Sequence, residues 1–575
     1  MRSTTAPRLD PRLLLGALIL AMLGTYASAQ DTCPRFPAGS TVTQPEDLFS
    51  QNKVLTVNFT YQTFVDENGL TRFCYVNSDS QQSPTLHVNA GDTIVMTVTN
   101  DVPASGGAMP AMQMSESVTP GAVCGDTNMT TSSVNVHFHG MVVAPLCHQD
   151  EVIHTLINSG STFTYNMQIP PNQPPGLYWY HPHVHGIADA SVLGGASGAI
   201  IVEGIQNVNP LVAGLPERVF LIRDNMLPGN KKAAAAPSRD LSLNYIPVPY
   251  PAYTSAVITM KPGQQQFWRV VNASADTIIN LQVTYDGQPQ TLVVVALDGV
   301  PIGSQDGSGQ GTTISENQIL LAPAARAEFI VTGPSSSVKV AQLQTLAVAT
   351  GSIGFSDPAR PLALIQPPPA KSRVSGLTVP KVSGPPTEQR FAGLATVTPT
   401  AERTLHFSED EQGYYITVNG HIPRIYSPDN DPALATTQGS VEDWTIQNHS
   451  IEAHEFHIHQ LHFLLMGING QTVPPDEQQM LDTINIPAWS GKGGYPSVTV
   501  RLDFRGADVG EFVYHCHILA HEDGGMMAII RVHPASPPKE ASVVPAHGDT
   551  VVPTASDSTV EQRNGIDRVH ARSMR

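Results

Sequence analysis

Charge is scarce in this chain, and positive charge scarcer still. Only 14% of its 575 residues are charged, and 31 basic side chains stand against 49 acidic ones, giving a formal net charge of −18. Nucleic acid is thereby disfavoured as a partner, since phosphates need Lys and Arg and no dense basic patch supplies them. Long hydrophobic runs are also lacking. The apolar run 13–23 is too short to span a bilayer comfortably. Because Arg2, Arg8 and Arg12 lead into it and Ala27-Ser28-Ala29 follows, residues 1–29 read as a secretory signal peptide. No adjacent Arg-Arg pair supports a twin-arginine route. The mature chain is expected to be exported, periplasmic or secreted, with no membrane span. Cysteine is sparse, at five residues. No long amphipathic helix stands out. Short β-branched runs such as 93–99, 199–202 and 497–502 lie between turns drawn from 46 glycines and 48 prolines. That is an all-β composition, consistent with Greek-key sandwiches.

What the chain does have is concentrated histidine. Residues 515–527 read His-Cys-His-Ile-Leu-Ala-His-Glu-Asp-Gly-Gly-Met-Met. The thiolate of Cys516, the imidazole of His521 and the thioether of Met526 are the parts of a blue-copper centre. Alternate residues of a strand face opposite sides, so with Cys516 towards one metal, His515 and His517 face another site. Three further His-x-His pairs occur, His137/His139, His181/His183 and His457/His459. A lone pair of this kind is common on surface strands, but four in one chain, one bracketing a cysteine, form a set. Imidazole suits copper. The eight histidines suffice for a cluster of copper ions, and His454 is free to complete the single-copper site. An electron-transfer enzyme is the reading these residues support.

The segments 136–140, 179–183, 454–459 and 515–527 resemble the four copper-binding segments of the multicopper oxidases, in order and spacing across roughly 50–535. The last segment is most similar to the bacterial laccase-like and cuprous-oxidase branch. The resemblance implies three consecutive cupredoxin-like Greek-key β-sandwich domains and four copper ions. One is a type 1 copper at His454, Cys516, His521 and Met526, and one a type 2 copper at His137 and His457. The type 3 pair would sit at His139, His181, His183, His459, His515 and His517. It also implies single-electron delivery at type 1, transfer through Cys516 to His515 and His517, and reduction of O2 to water. Glu522 resembles the family's proton-delivering carboxylate. The Asp-Gly usual after the first segment is missing, and Asp150 or Glu151 takes its place, with Asp150 near the type 2 side. Phe138 replaces a usual Trp, Glu455 a common Pro and Gln460 a common Gly.

The expected organisation is domain 1 at 40–205, domain 2 at 206–365, a proline-rich linker at 366–394, domain 3 at 395–535 and a disordered tail at 536–575. Domain 2 carries no metal-ligand pattern and reads as spacer and cleft wall. With Cys516 assigned to metal, four cysteines allow three disulfide pairings. Cys124 and Cys147 flank the first His-x-His strand, favouring Cys124–Cys147 and Cys33–Cys74. Expected partners are O2 and a small reductant: a phenol, an aromatic amine or a metal ion. Coordination by Met526 favours Cu(II) somewhat, pointing to easily oxidised donors. Glu452 is placed to accept a phenol's proton. The rival within the class is a cuprous oxidase for copper tolerance, for which Met109, Met112 and Met114 offer thioethers and Met527 is expected close to the type 1 ligands. A copper-free envelope relative and a two-domain nitrite reductase fit the ligand set poorly. His148, His154, His185, His449 and His462 match no required ligand, although His185 and His462 lie beside ligand segments.

Overall fold

A computed structural model describes residues 33–104, 124–228, 236–304, 311–369, 377–380, 390–418, 420–506 and 509–535. The expected signal peptide, the tail, and Met109, Met112 and Met114 lie outside the described residues, as does most of the proline-rich linker.

The fold is three consecutive cupredoxin-like sandwiches, each made of two sheets closed on its own apolar core. The first pairs a five-stranded with a four-stranded sheet, the second an eight- with a six-stranded sheet, and the third a seven- with a five-stranded sheet. Period-two burial drives the outer strands. Along Thr93–Asn100, Ile94, Met96 and Val98 point into the first core while alternate residues meet solvent. The second core runs from Phe220 to Ile365 and also takes Val42, and the third runs from Leu405 to Val532. Residues 377–380 lie against the second sandwich, with Thr378 bridging Pro216 and Val379 packed beside Phe267.

Strand Gly176–His181 is buried along its whole length because its two faces serve two cores. Tyr178 and Tyr180 enter the first sandwich, whereas Leu177 and Trp179 pack on Val219, Leu221 and Val271 of the second. The strand that ends in a metal-ligand candidate is thus gripped from both sides. Beside it, Arg269 is buried between Glu217 and Glu328, and Glu328 accepts the Leu177 N–H at 2.9 Å.

The two disulfides are Cys33–Cys74 and Cys124–Cys147, and Cys516 is a free, buried cysteine. Among the described residues no helix is long and apolar enough to cross a membrane.

Candidate metal centre

Register brings the histidine pairs together. In the first sandwich His137 lies opposite His181 on neighbouring antiparallel strands. In the third, His457 lies opposite His515 and Phe456 opposite Cys516. The two sandwiches meet ring on ring: His137 stacks on His459 at 3.7 Å and His139 on His457 at 4.0 Å between centroids. All eight imidazoles are buried. Burial, reinforced in most of them by like-charged neighbours, pushes each below the usual histidine range, His181 to about 4 and the others further. They are neutral at pH 7, the ligand form.

In five of the eight the outward nitrogen is fixed. His181 Nδ1 donates to the Pro182 carbonyl at 2.9 Å, His457 Nδ1 to the Asp482 carbonyl at 2.7 Å and His515 Nδ1 to the Cys516 carbonyl at 3.0 Å. His137 Nδ1 faces the Asp150 carboxylate at 3.1 Å, and His139 Nε2 faces Asp482 at 3.2 Å. Each bond sets a tautomer and turns the other nitrogen's lone pair inward. Those inward atoms, His137 Nε2, His139 Nδ1, His181 Nε2 and His457 Nε2, are buried without any hydrogen-bond partner. The Nε2 atoms of His183, His459 and His515 form a triangle with sides of 3.1, 3.2 and 3.2 Å. Its centre is about 2 Å from each nitrogen, the length of an imidazole–metal bond. On the other side, His139, His181 and His517 gather with ring centroids 5.0 to 5.8 Å apart. Bare lone pairs buried face to face are unfavourable without a cation, so this donor set fits copper.

The second group is smaller. His454 Nδ1 and His521 Nδ1 lie 3.1 Å apart, each 3.7 Å from Cys516 Sγ. Met526 is buried in the same core, and its carbonyl accepts the Cys516 N–H at 3.0 Å. Met527, expected close to this group, turns away because adjacent residues point to opposite faces. It packs instead with Val152, Tyr426 and Val513 beside a cavity of about 30 Å³ that reaches His183. The helical turn Leu519–Asp523 is held by the other sandwiches: Asp276 accepts the Ala520 N–H, and Asp523 accepts those of Gly186 and Asp189.

His521 is sealed. Tyr414 stacks on it at 4.5 Å, Phe355 at 6.1 Å, and Glu452 stands 3.4 Å from its Nε2, leaving 1% of the residue exposed. Glu409, beside Glu452, is pushed up to about 8 by burial and by that neighbour.

Of the two acids left open by the sequence, Asp150 reaches the cage. Both its oxygens lie 3.1 Å from His137 Nδ1, whereas Glu151 caps its own loop at His154 and Thr155. Burial holds the Asp150 carboxyl well above the usual range. Gln460 occupies a backbone position with φ of 59°, which explains why glycine suits it and costs about 1 kcal/mol for a side chain. Its amide bridges to Asp150 at 2.7 Å. Glu522 is buried with both oxygens unpartnered, 3.3 Å from His515 Nδ1 and 3.8 Å from His183 Nδ1.

Sequence reasoning missed the cage's outer wall. Arg326 of the second sandwich grips Asp482 at 2.7 and 2.6 Å and also donates to the Leu177 carbonyl of the first. Asp298 accepts the Arg326 and Asp482 N–H groups, and the His462 ring contacts the Asp298 carbonyl at 2.8 Å. The domain read as spacer thus supplies the counter-charge. His185 lies edge-on to Tyr426, His449 stacks on Tyr495, His148 contacts the Thr164 carbonyl and His154 pairs with Glu151, none of them in the cage.

The sequence pattern described as multicopper oxidase matches residues 106–207 and again 396–536. A multicopper oxidase of Staphylococcus haemolyticus is 23% identical over 70% of this chain and 78% of its own length. Among solved structures, a Campylobacter jejuni multicopper oxidase described as a metallo-oxidase superposes with a TM-score of 0.62 at 21% identity, covering 87% of this chain and 96% of that one. A laccase-like multicopper oxidase of Ochrobactrum, described as active towards lignin model compounds, gives 0.58 at 19% identity, over 85% and 100%.

Proposed function

Because the chain belongs to the multicopper oxidases, copper oxidoreductases that use O2, we propose that it is a laccase-like oxidase. It couples four one-electron oxidations of phenolic or similar donors to reduction of O2 to water. His454, Cys516, His521 and Met526 would hold a type 1 copper, and His137 and His457 a type 2 copper. His139, His181 and His517 would hold one type 3 ion, and His183, His459 and His515 the other. Copper bound there supplies one-electron chemistry at the single site and multi-electron chemistry at the cluster.

The chain's own residues do the rest. His515 and His517 flank Cys516, so the two groups are one residue apart through covalent bonds. The buried Glu522 oxygens are placed to hold a proton beside His515 and His183, and Asp150 keeps the His137 Nδ1 proton directed outward. Tyr414, Phe355 and Glu452 exclude water and donor from His521, so electrons must cross this cover. The two disulfides support an exported, oxidising location.

The observation that carries the reading is the convergence of buried, unpartnered imidazole nitrogens one residue away from a buried Cys–His–His group. Oxygen uptake by copper-loaded protein tests it, with a dimethoxyphenol and separately with Cu(I), beside Cys516→Ser. Uptake with the phenol that is lost in the variant is expected. Uptake with Cu(I) alone would move the assignment to cuprous oxidation, and none with either donor despite full loading would overturn it.

A further inference from the structure

Glu455 sits between two candidate ligands, His454 and His457, and unlike a proline it carries a backbone N–H. Here the N–H is present and points at the sulfur: Glu455 N lies 3.3 Å from Cys516 Sγ. Its aim is fixed from two sides. The Glu455 carbonyl accepts the His517 N–H at 3.2 Å. Its carboxyl oxygen accepts the Asn485 amide at 2.7 Å, and Asn485 is its register partner on the adjoining strand. The residue is wholly buried, so water does not compete for the sulfur.

We propose that the Glu455 backbone N–H tunes the mononuclear centre upward in potential by donating to the Cys516 sulfur. The inference rests on the assignment of Cys516 as a type 1 ligand. An N–H aimed at a thiolate draws electron density away from it. The oxidised ion depends most on that density, so the hydrogen bond favours the reduced ion. It therefore opposes the pull of a coordinating Met526 towards the oxidised state, and extends the donor range towards less easily oxidised phenols. Glu455 is a positioning residue: it touches the ligand, not the donor.

Three substitutions separate backbone from side chain. Glu455→Pro removes the N–H, while Glu455→Ala and Glu455→Gln keep it and alter the carboxyl. A hydrogen bond to a charged sulfur lost in the first should shift the reduced-to-oxidised ratio about tenfold towards oxidised, a fall of about 59 mV. The readout is a spectroscopic redox titration of the type 1 band, which needs no turnover. A fall in Glu455→Pro with little change in the other two is expected. An unchanged potential in Glu455→Pro, or an equal fall in all three, overturns the proposal. If Glu455→Pro takes up no type 1 copper, wild-type protein with ¹¹³Cd at this site and ¹⁵N-labelled glutamate decides. A scalar coupling between the Glu455 amide proton and cadmium through the sulfur supports the proposal, and its absence overturns it. Wild-type protein that loads copper without any type 1 signal would instead sink the oxidase reading itself.

Discussion

The two ligand groups are joined at residues 515–517 yet built in opposite ways. The mononuclear group is a property of one sandwich: His454 and Cys516 lie on adjacent strands of one sheet, and His521 and Met526 follow within ten residues of Cys516. The eight-imidazole cage belongs to no single sandwich. Its four first-sandwich rings and four third-sandwich rings meet across the seam, two pairs of them stacked, so it exists only when the two ends of the chain are docked. One sandwich supplies every residue of the first group, although Asp276, Gly186 and Asp189 of the other two brace the turn that carries His521, whereas the second group draws its residues from two sandwiches. Metal affinity at the cage is therefore docking free energy.

The largest effect should follow copper removal. Stripping all copper is expected to destabilise the chain by on the order of 5 kcal/mol or more, seen as a clear drop in melting temperature by calorimetry. Cys516→Ser lacks a ligand only in the mononuclear group and should keep most of the copper-dependent rise. Equal melting of copper-free and loaded protein, or loss of the whole rise in Cys516→Ser, would break the comparison.

Next comes the cage's outer wall. Arg326→Met leaves Asp482 and Asp298 buried without their cation, and removing one partner of such a pair costs about 3–5 kcal/mol. Asp482 in turn faces His139 and holds His457 through its carbonyl. Cage copper should therefore be lost before type 1 copper. Denaturant unfolding together with copper counting and the type 1 absorption checks this, and parallel loss of both kinds would show that the groups are not independent.

How much of this was legible follows from the same contrast. The convergence of the histidine pairs could be read because strand periodicity forces His-x-His onto one face, so spacing carries the geometry. Cys124–Cys147 was legible for a similar reason, flanking one strand. The wall was not, because Arg326, Asp298 and Asp482 are far apart in sequence and match no local pattern until three domains dock. Met527 was misplaced by nearness in sequence, where alternation sends it to the opposite face. Asp150 was named ahead of Glu151, but local spacing does not show the loop that turns the one inward and the other onto Thr155. The cover over His521 comes from Tyr414 of one strand and Phe355 of another domain, again a product of assembly.

The smallest effect expected concerns a histidine that burial treats differently from the cage. In the cage, burial wins and the rings are neutral. At His87 burial would also lower the value, but hydrogen bonds from both ring nitrogens, to Asp47 at 3.1 Å and Glu203 at 2.7 Å, overcome it and raise the group to about 9. The ring ties the parallel strands Asp47–Phe49 and Thr85–Val88 to the end of Gly198–Val202. A folded value above the unfolded one near 6.5 means stabilisation that is complete below about pH 6.5 and lost as pH rises through about 9. The shift corresponds to about 2 kcal/mol once the partial exposure of the two carboxylates is allowed for. Between pH 7.5 and 9.5 the cage imidazoles are neutral in folded and unfolded chains alike and contribute no slope. The difference in unfolding free energy between wild type and His87→Gln over that interval therefore isolates this one clamp. It should shrink steadily with rising pH. A difference that stays constant would mean that His87 is neutral when buried, as in the cage, and that its carboxylates do not reverse the effect of burial.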